Sequence, residues 1–152
     1  KSKETLPKGV KLVNLEKKSV VNEKDIKGQL SIIQFWASWC VGCGENMAAL
    51  DGVTRGFEGS GGDLGYYAVS VDETMGEARD YFKYKHKDLR RLKSKAYLDK
   101  SLTLSEGLGI QSVPAMVVVD EKGQVVEKIE GHLGPKEIKR LKKLVNKRAG
   151  DS

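Results

Sequence analysis

Apolar residues in this chain fall into short runs divided by polar, glycine-rich turns, and the period of each run predicts its structure. Residues 10–15 partly alternate and predict a short strand; Lys17-Lys18 suits a turn, and Ser19-Val20-Val21 its hairpin partner. Residues 22–28 are polar and predict a turn or short helix. Residues 30–37 are apolar nearly throughout, as expected of a strand covered on both faces. Residues 40–57 predict a helix, with Met47, Leu50 and Val53 at helical spacing and a glycine-rich stop from Gly56 to Gly62. A second core strand spans 64–71, and Asp72 or Thr74 caps a helix running to about His86. Ala96-Tyr97-Leu98 is a short third strand, and 101–108 a short helix ended by Gly109. Pro114 precedes a strand over 115–120, the 120–123 turn makes a hairpin, and 124–129 returns. After Gly134-Pro135, a last helix buries Ile138, Leu141, Leu144 and Val145 and carries lysines and arginines elsewhere.

Strand and helix alternate through the middle of the chain, which predicts parallel pairing; the late hairpin adds an antiparallel edge. The expected fold class is α/β: a mixed sheet with helices on both faces, behind an N-terminal β-hairpin. With 152 residues and 39% apolar content, the chain suits one core rather than two. The expected division is a flexible lead over 1–9, a single domain over 10–149 and a tail over 150–152. No apolar run approaches the roughly 18 residues of a membrane span, and the first five residues are polar rather than a secretory leader. A cleaved leader or trimmed anchor would leave the same start.

The 27 Lys and Arg against 21 Asp and Glu give a net charge of +6. Such a balance permits contact with nucleic acid or an anionic membrane. No interleaving of aromatics with arginine accompanies it, so a solvated lysine-rich face is the simpler reading and no nucleic-acid partner is expected.

The two cysteines change the picture through their placement. Both lie in Trp39-Cys40-Val41-Gly42-Cys43, where a core strand gives way to a helix. Two cysteines separated by two residues at such a junction form a redox constellation. The partial positive charge of a helix N-terminus favours thiolate at Cys40, which would attack a partner disulfide; Cys43, one turn on, would resolve the mixed disulfide. Trp39 reads as a partner-facing rim residue. The bland alternatives are two buried thiols or half a zinc site. Zinc needs two more ligands, and only His86 and His132 remain, far apart in sequence, so no metal and no cofactor beyond the redox disulfide is expected.

The segment 35–43, Phe-Trp-Ala-Ser-Trp-Cys-Val-Gly-Cys, resembles the active-site segment of the thioredoxin superfamily. The N-terminal hairpin, Asp99 before the short helix, the run 109–114 ending in Val113-Pro114, and the 119–123 turn narrow the resemblance to TlpA/ResA-like thiol-disulfide oxidoreductases, usually tethered or exported bacterial proteins. It covers residues 12–144. It implies a thioredoxin-like sheet, and it implies that Pro114 is the family's cis-proline, exposing the Val113 backbone to an extended substrate. This chain departs from the family at three places. Gly42 stands where proline usually precedes the second cysteine. Gln34 stands where thioredoxin has a buried aspartate. Asn46 and Ala48 stand where many relatives have glutamate and proline, with Glu45 adjacent as a displaced acid or a solvated helix residue. Gly42, Gln34 and Glu45 are therefore candidate modulators.

The leading functional expectation is a monomeric thiol-disulfide oxidoreductase, reducing disulfides of exported proteins, in the manner of cytochrome c maturation, and recharged by a membrane thiol donor. Its expected address is extracytoplasmic, with the cytoplasm as the alternative. A non-catalytic thioredoxin-fold module docking peptides beside Pro114 is the second reading, and an interaction protein using its basic last helix the third. The direction of electron flow is not legible, because about 30 mV in potential changes the equilibrium tenfold.

Overall fold

The computed structural model describes residues 4–150, with side chains to Arg148. Residues 1–3 of the expected lead and 151–152 of the expected tail lie outside the described residues. The strands are β1 (Leu12–Asn14), β2 (Val20–Val21), β3 (Ser31–Trp36), β4 (Gly65–Ser70), β5 (Ala96–Asp99), β6 (Ala115–Val119) and β7 (Val125–Glu130). The helices are α1 (Glu23–Ile26), α2 (Cys43–Gly59), α3 (Met75–Asp80), α4 (Thr103–Gly107) and α5 (Pro135–Gly150).

All seven strands join one mixed sheet in the order β2-β1-β5-β4-β3-β6-β7. β3, β4 and β5 run parallel, whereas β6 and β7 are antiparallel, as the tight hairpin requires. β3 is buried at every position because both of its faces are covered. On one face, Ile32 and Trp36 pack with Met47, Leu50 and Val53 of α2 and with Leu141 and Val145 of α5. On the other, Ile33 and Phe35 pack with Val69, Val117, Leu104, Leu108 and Ile26. Burial of these side chains, each worth about 1.5–3 kcal/mol, is the main stabilising term.

Three expectations need correction. The lead over 1–9 is tied down from Glu4: Val125 N–H donates to the Glu4 carbonyl, Leu6 N–H donates to the Gly123 carbonyl, and Leu6 is buried. The helix expected to reach His86 stops at Asp80 and gives way to a wider π turn over Tyr81–Lys85 and a 3-10 segment over Lys87–Lys95. That segment has only two apolar residues in nine, Leu89 and Leu92, and both are buried, so it anchors to the core at two points through a largely polar stretch. Finally, α2 begins at Cys43, with Gly42 as its N-cap, so Cys40 stands before the helix rather than within it.

Two buried carboxylates fix connections near the strand ends. Thr74, not Asp72, caps α3, through a reciprocal pair with Glu77. Asp72 instead accepts hydrogen bonds from Ser38 N–H (3.0 Å), Ser38 Oγ (2.7 Å) and Ser70 Oγ (2.7 Å), pinning the loop after β3 to the end of β4. Asp99 accepts from Leu104 N–H (3.1 Å) and Ser105 N–H (2.8 Å), serving the start of α4. Burial pushes the Asp99 carboxyl above its ordinary 3.8, although those two bonds pull it partly back. The folded protein thus holds this proton more tightly than the unfolded chain. The Asp99 contribution to stability is largest at low pH and falls as pH rises through the interval above 3.8. Asn lacks that titration but turns an NH₂ toward a donor. Urea unfolding should therefore show Asp99→Asn less stable than wild type, with a gap that narrows from pH 4 to pH 7; a gap that widens would refute this linkage.

Candidate active site

Cys40 and Cys43 are joined by a disulfide of 2.10 Å with their Cα atoms 5.7 Å apart. The two sulfurs differ sharply in access. Cys43 is fully buried in the core beneath α2, and Cys40 is partly exposed. Gly42 N-caps α2 without any side-chain acceptor, which leaves first-turn amide N–H groups free to face the loop carrying Cys40. Two apolar side chains flank Cys40 at the surface: Trp39 is 66% exposed and Val41 91%.

Trp39 divides two grooves. One is lined by Cys40, Gly42, Glu45, Tyr81, Lys85 and His86. The other runs past Leu102, Ile110, Gln111, Ser112 and Val113. The Val113–Pro114 peptide bond is cis. Pro114 leads into β6, whose Ala115 pairs with Phe35 of β3, so Val113 and Pro114 reach the same sheet end as the cysteines. Glu45 is exposed on the first groove. Gln34 is not at the surface at all: it is buried and accepts a 2.6 Å hydrogen bond from Tyr66 Oη. Burial pushes the Tyr66 phenol up, with the charge of Asp51 adding to it, so this pair is a neutral polar contact within the core.

Neither histidine is expected here from its distance along the sequence. Both of the chain's histidines come to the cysteine loop, one on each glycine beside Cys43. A Cβ placed on Gly42 would fall 2.9 Å from His132 Nδ1 and closer still to Cε1. A Cβ on Gly44 would fall 2.8 Å from Tyr81 Oη and 3.2 Å from His86 Cε1. Tyr81 stacks on His86, with ring centroids 4.6 Å apart, and its buried Oη has no hydrogen-bond partner among the described residues. Burial, with Asp88 second, pushes the Tyr81 phenol up to about 12. Hairpin arithmetic held the signal for His132. Ala115 pairs with Glu130, so residues 131–132 must land beside Pro114. No group of three or more His, Cys, Asp or Glu converges on a metal-sized site among the described residues.

Gly42 has φ +90°, a conformation that costs an L-residue about 1–2 kcal/mol. Gly42→Ala should therefore lower the urea-unfolding free energy of the oxidised protein by about 2 kcal/mol, including displacement of the His132 ring. Adding His132→Ala should recover only the displacement part; full recovery would mean that the backbone conformation costs nothing.

A family model described as Redoxin matches residues 1–145. The thiol-disulfide oxidoreductase ResA of a Bacillus cereus strain is 27% identical over 108 residues, which cover 71% of this chain and 58% of ResA. The chain thus aligns with less than two thirds of the length of that relative. The thioredoxin-like protein YneN of Bacillus subtilis is 25% identical over 129 residues, covering 85% of this chain and 71% of YneN. Among solved structures, a DsbE-type thiol:disulfide interchange protein of Chlorobium tepidum superposes with a TM-score of 0.78 at 20% identity, covering 99% of both chains. The pneumococcal exposed lipoprotein thioredoxin Etrx1 gives 0.63 at 24% identity, covering 88% of this chain and 97% of its own. These superpositions identify the fold as thioredoxin-like.

Proposed function

We propose that this chain, which belongs to the redoxin family, is a thiol-disulfide oxidoreductase that exchanges its Cys40–Cys43 disulfide with thiols and disulfides of partner proteins. One observation carries the reading: the bonded pair straddles the uncapped start of α2 with the first sulfur accessible and the second buried. A thiolate at Cys40 is favoured there by the amide N–H groups of the first turn. Attack on a partner disulfide breaks that S–S bond, forms a Cys40–partner bond and expels one partner thiolate. Attack by Cys43 on Cys40 then releases the second partner thiolate and restores the internal disulfide.

Trp39, Val113 and Pro114 form the docking rim for an extended partner segment, supported by the groove that runs from Trp39 along residues 110–113. The partners are exported proteins with oxidised cysteine pairs, the haem-attachment cysteines of cytochromes c among them, and a membrane thiol donor recharges the pair. We place the protein outside the cytoplasm as a monomer, an address in keeping with the exposed lipoprotein named among its structural neighbours. The test is insulin-disulfide reduction driven by dithiothreitol. Turbidity should develop well ahead of the dithiothreitol control, and a rate equal to that control would remove the reading.

A further inference from the structure

The ring of His132 occupies the space a side chain at position 42 would take, and the structure fixes it there from both sides. Gly131 N–H donates to the Pro114 carbonyl at 2.8 Å. Leu133 N–H donates to Oδ1 of Asn46, a buried residue of α2, at 3.4 Å. Asn46 N–H in turn donates to the Gly42 carbonyl at 3.3 Å. The turn bearing His132 is therefore tied to both the proline loop and the cysteine helix, with the imidazole laid on the residue between them. No carboxylate oxygen lies within 4.0 Å of its ring nitrogens among the described residues. His86, by contrast, has Asp88 at 4.0 Å and stacks on Tyr81.

We propose that His132 is a positioning residue for the dithiol: it holds a proton beside the reduced pair and so stabilises the Cys40 thiolate. This rests on the exchange reading above and goes beyond it by assigning the proton. A partner dithiol supplies two electrons and two protons. Its own S–S bond forms and the Cys40–Cys43 bond breaks. One proton goes to the Cys43 sulfur and the other to the His132 imidazole, leaving Cys40 as thiolate. Reoxidation by a partner disulfide returns both protons. Neither Gln34, which is an amide, nor Tyr81, whose phenol resists ionisation, can take that second proton near neutral pH. Nearest this turn along the elements it joins, the ionisable groups are Glu45 in the first turn of α2, Glu130 at the end of β7, and Lys136 and Glu137 at the start of α5; the others lie further along each element. Glu130 accepts from Gln111 N–H and Glu137 from Gly134 N–H, so both carboxylates are already engaged.

A thiolate–imidazolium pair exists only where the imidazole is protonated and the thiol is not, that is, between their two titrations. This gives a signature that packing alone does not produce. In dithiothreitol redox buffers, His132→Gln should shift the equilibrium toward disulfide by about twofold or more near pH 7, and the pH-dependent part of that shift should fade toward acid, where the thiol is protonated, and toward alkali, where the imidazole is neutral. A shift that is constant with pH reports only lost packing and overturns the proposal. In the unmutated protein, the His132 proton resonance should titrate at higher pH in the reduced form than in the oxidised form, with His86→Gln assigning the two resonances. Identical titrations in both redox forms also overturn it. A pair that dithiothreitol cannot reduce at all would instead sink the exchange reading and this inference with it.

Discussion

Cys40→Ser is expected to reduce insulin-disulfide turnover to the dithiothreitol background, a loss of about a hundredfold or more, without preventing folding. A serine hydroxyl does not ionise near neutral pH, so nothing remains at position 40 to attack a disulfide. The site tolerates the exchange sterically, because Cys40 is partly exposed at the rim. Cys43→Ser should behave differently. Cys40 can still attack, yet no thiol follows to release the partner. Incubation with a disulfide-bonded peptide should then yield a covalent adduct of defined mass, discharged by dithiothreitol, whereas Cys40→Ser should yield none. An adduct on Cys40→Ser and none on Cys43→Ser would invert the assigned roles. Burial argues against inversion, since the Cys43 side chain is closed off beneath α2.

Trp36→Ala should cost about 3–5 kcal/mol of unfolding free energy, read as a drop in the urea midpoint at unchanged slope. Trp36 is fully buried and touches two aromatic rings, Tyr81 at 4.9 Å and Phe82 at 5.4 Å between centroids. Deleting the indole leaves a cavity beneath the very tyrosine that lies against Gly44 and His86. Trp36→Phe should cost much less, about 1–2 kcal/mol. It loses volume, but it also removes an indole N–H that is buried without a partner among the described residues. Equal costs for the two variants would mean that the ring volume contributes little and that this account of the core is wrong.

The sheet and its two faces were legible because β3 and β6 are apolar at nearly every position, a pattern that only a doubly covered strand requires. The cysteine pair was legible from spacing and from the strand before it. The rest was hidden for identifiable reasons. α2 begins later than its apolar spacing suggests because Gly42 takes a left-handed conformation, and a glycine does not announce its φ. The segment after α3 carries its core contacts on Leu89 and Leu92 alone, a three-residue interval characteristic of a 3-10 turn but too brief to rise above seven polar neighbours. His86 and His132 were discounted for their sequence distance from the cysteines. That distance is irrelevant once β7 returns alongside β6 and the turn after α3 folds under α2. Gln34 lies buried in the sheet, where its amide oxygen accepts from Tyr66 and its Nε2 has no partner among the described residues.

The pairing of Glu4 with Val125 and of Leu6 with Gly123 has a practical reach. It sits where β6 turns into β7, beside the first residue of β3, while the sulfurs lie past the last residue of that strand. Some six residues of extended chain, roughly 20 Å, separate the two poles. A bead or biosensor surface coupled near Glu4 would therefore leave the disulfide pointing into solution, open to captured clients. Coupling through lysines such as Lys85, which borders the Cys40 groove, would turn the same protein face-down and mute it.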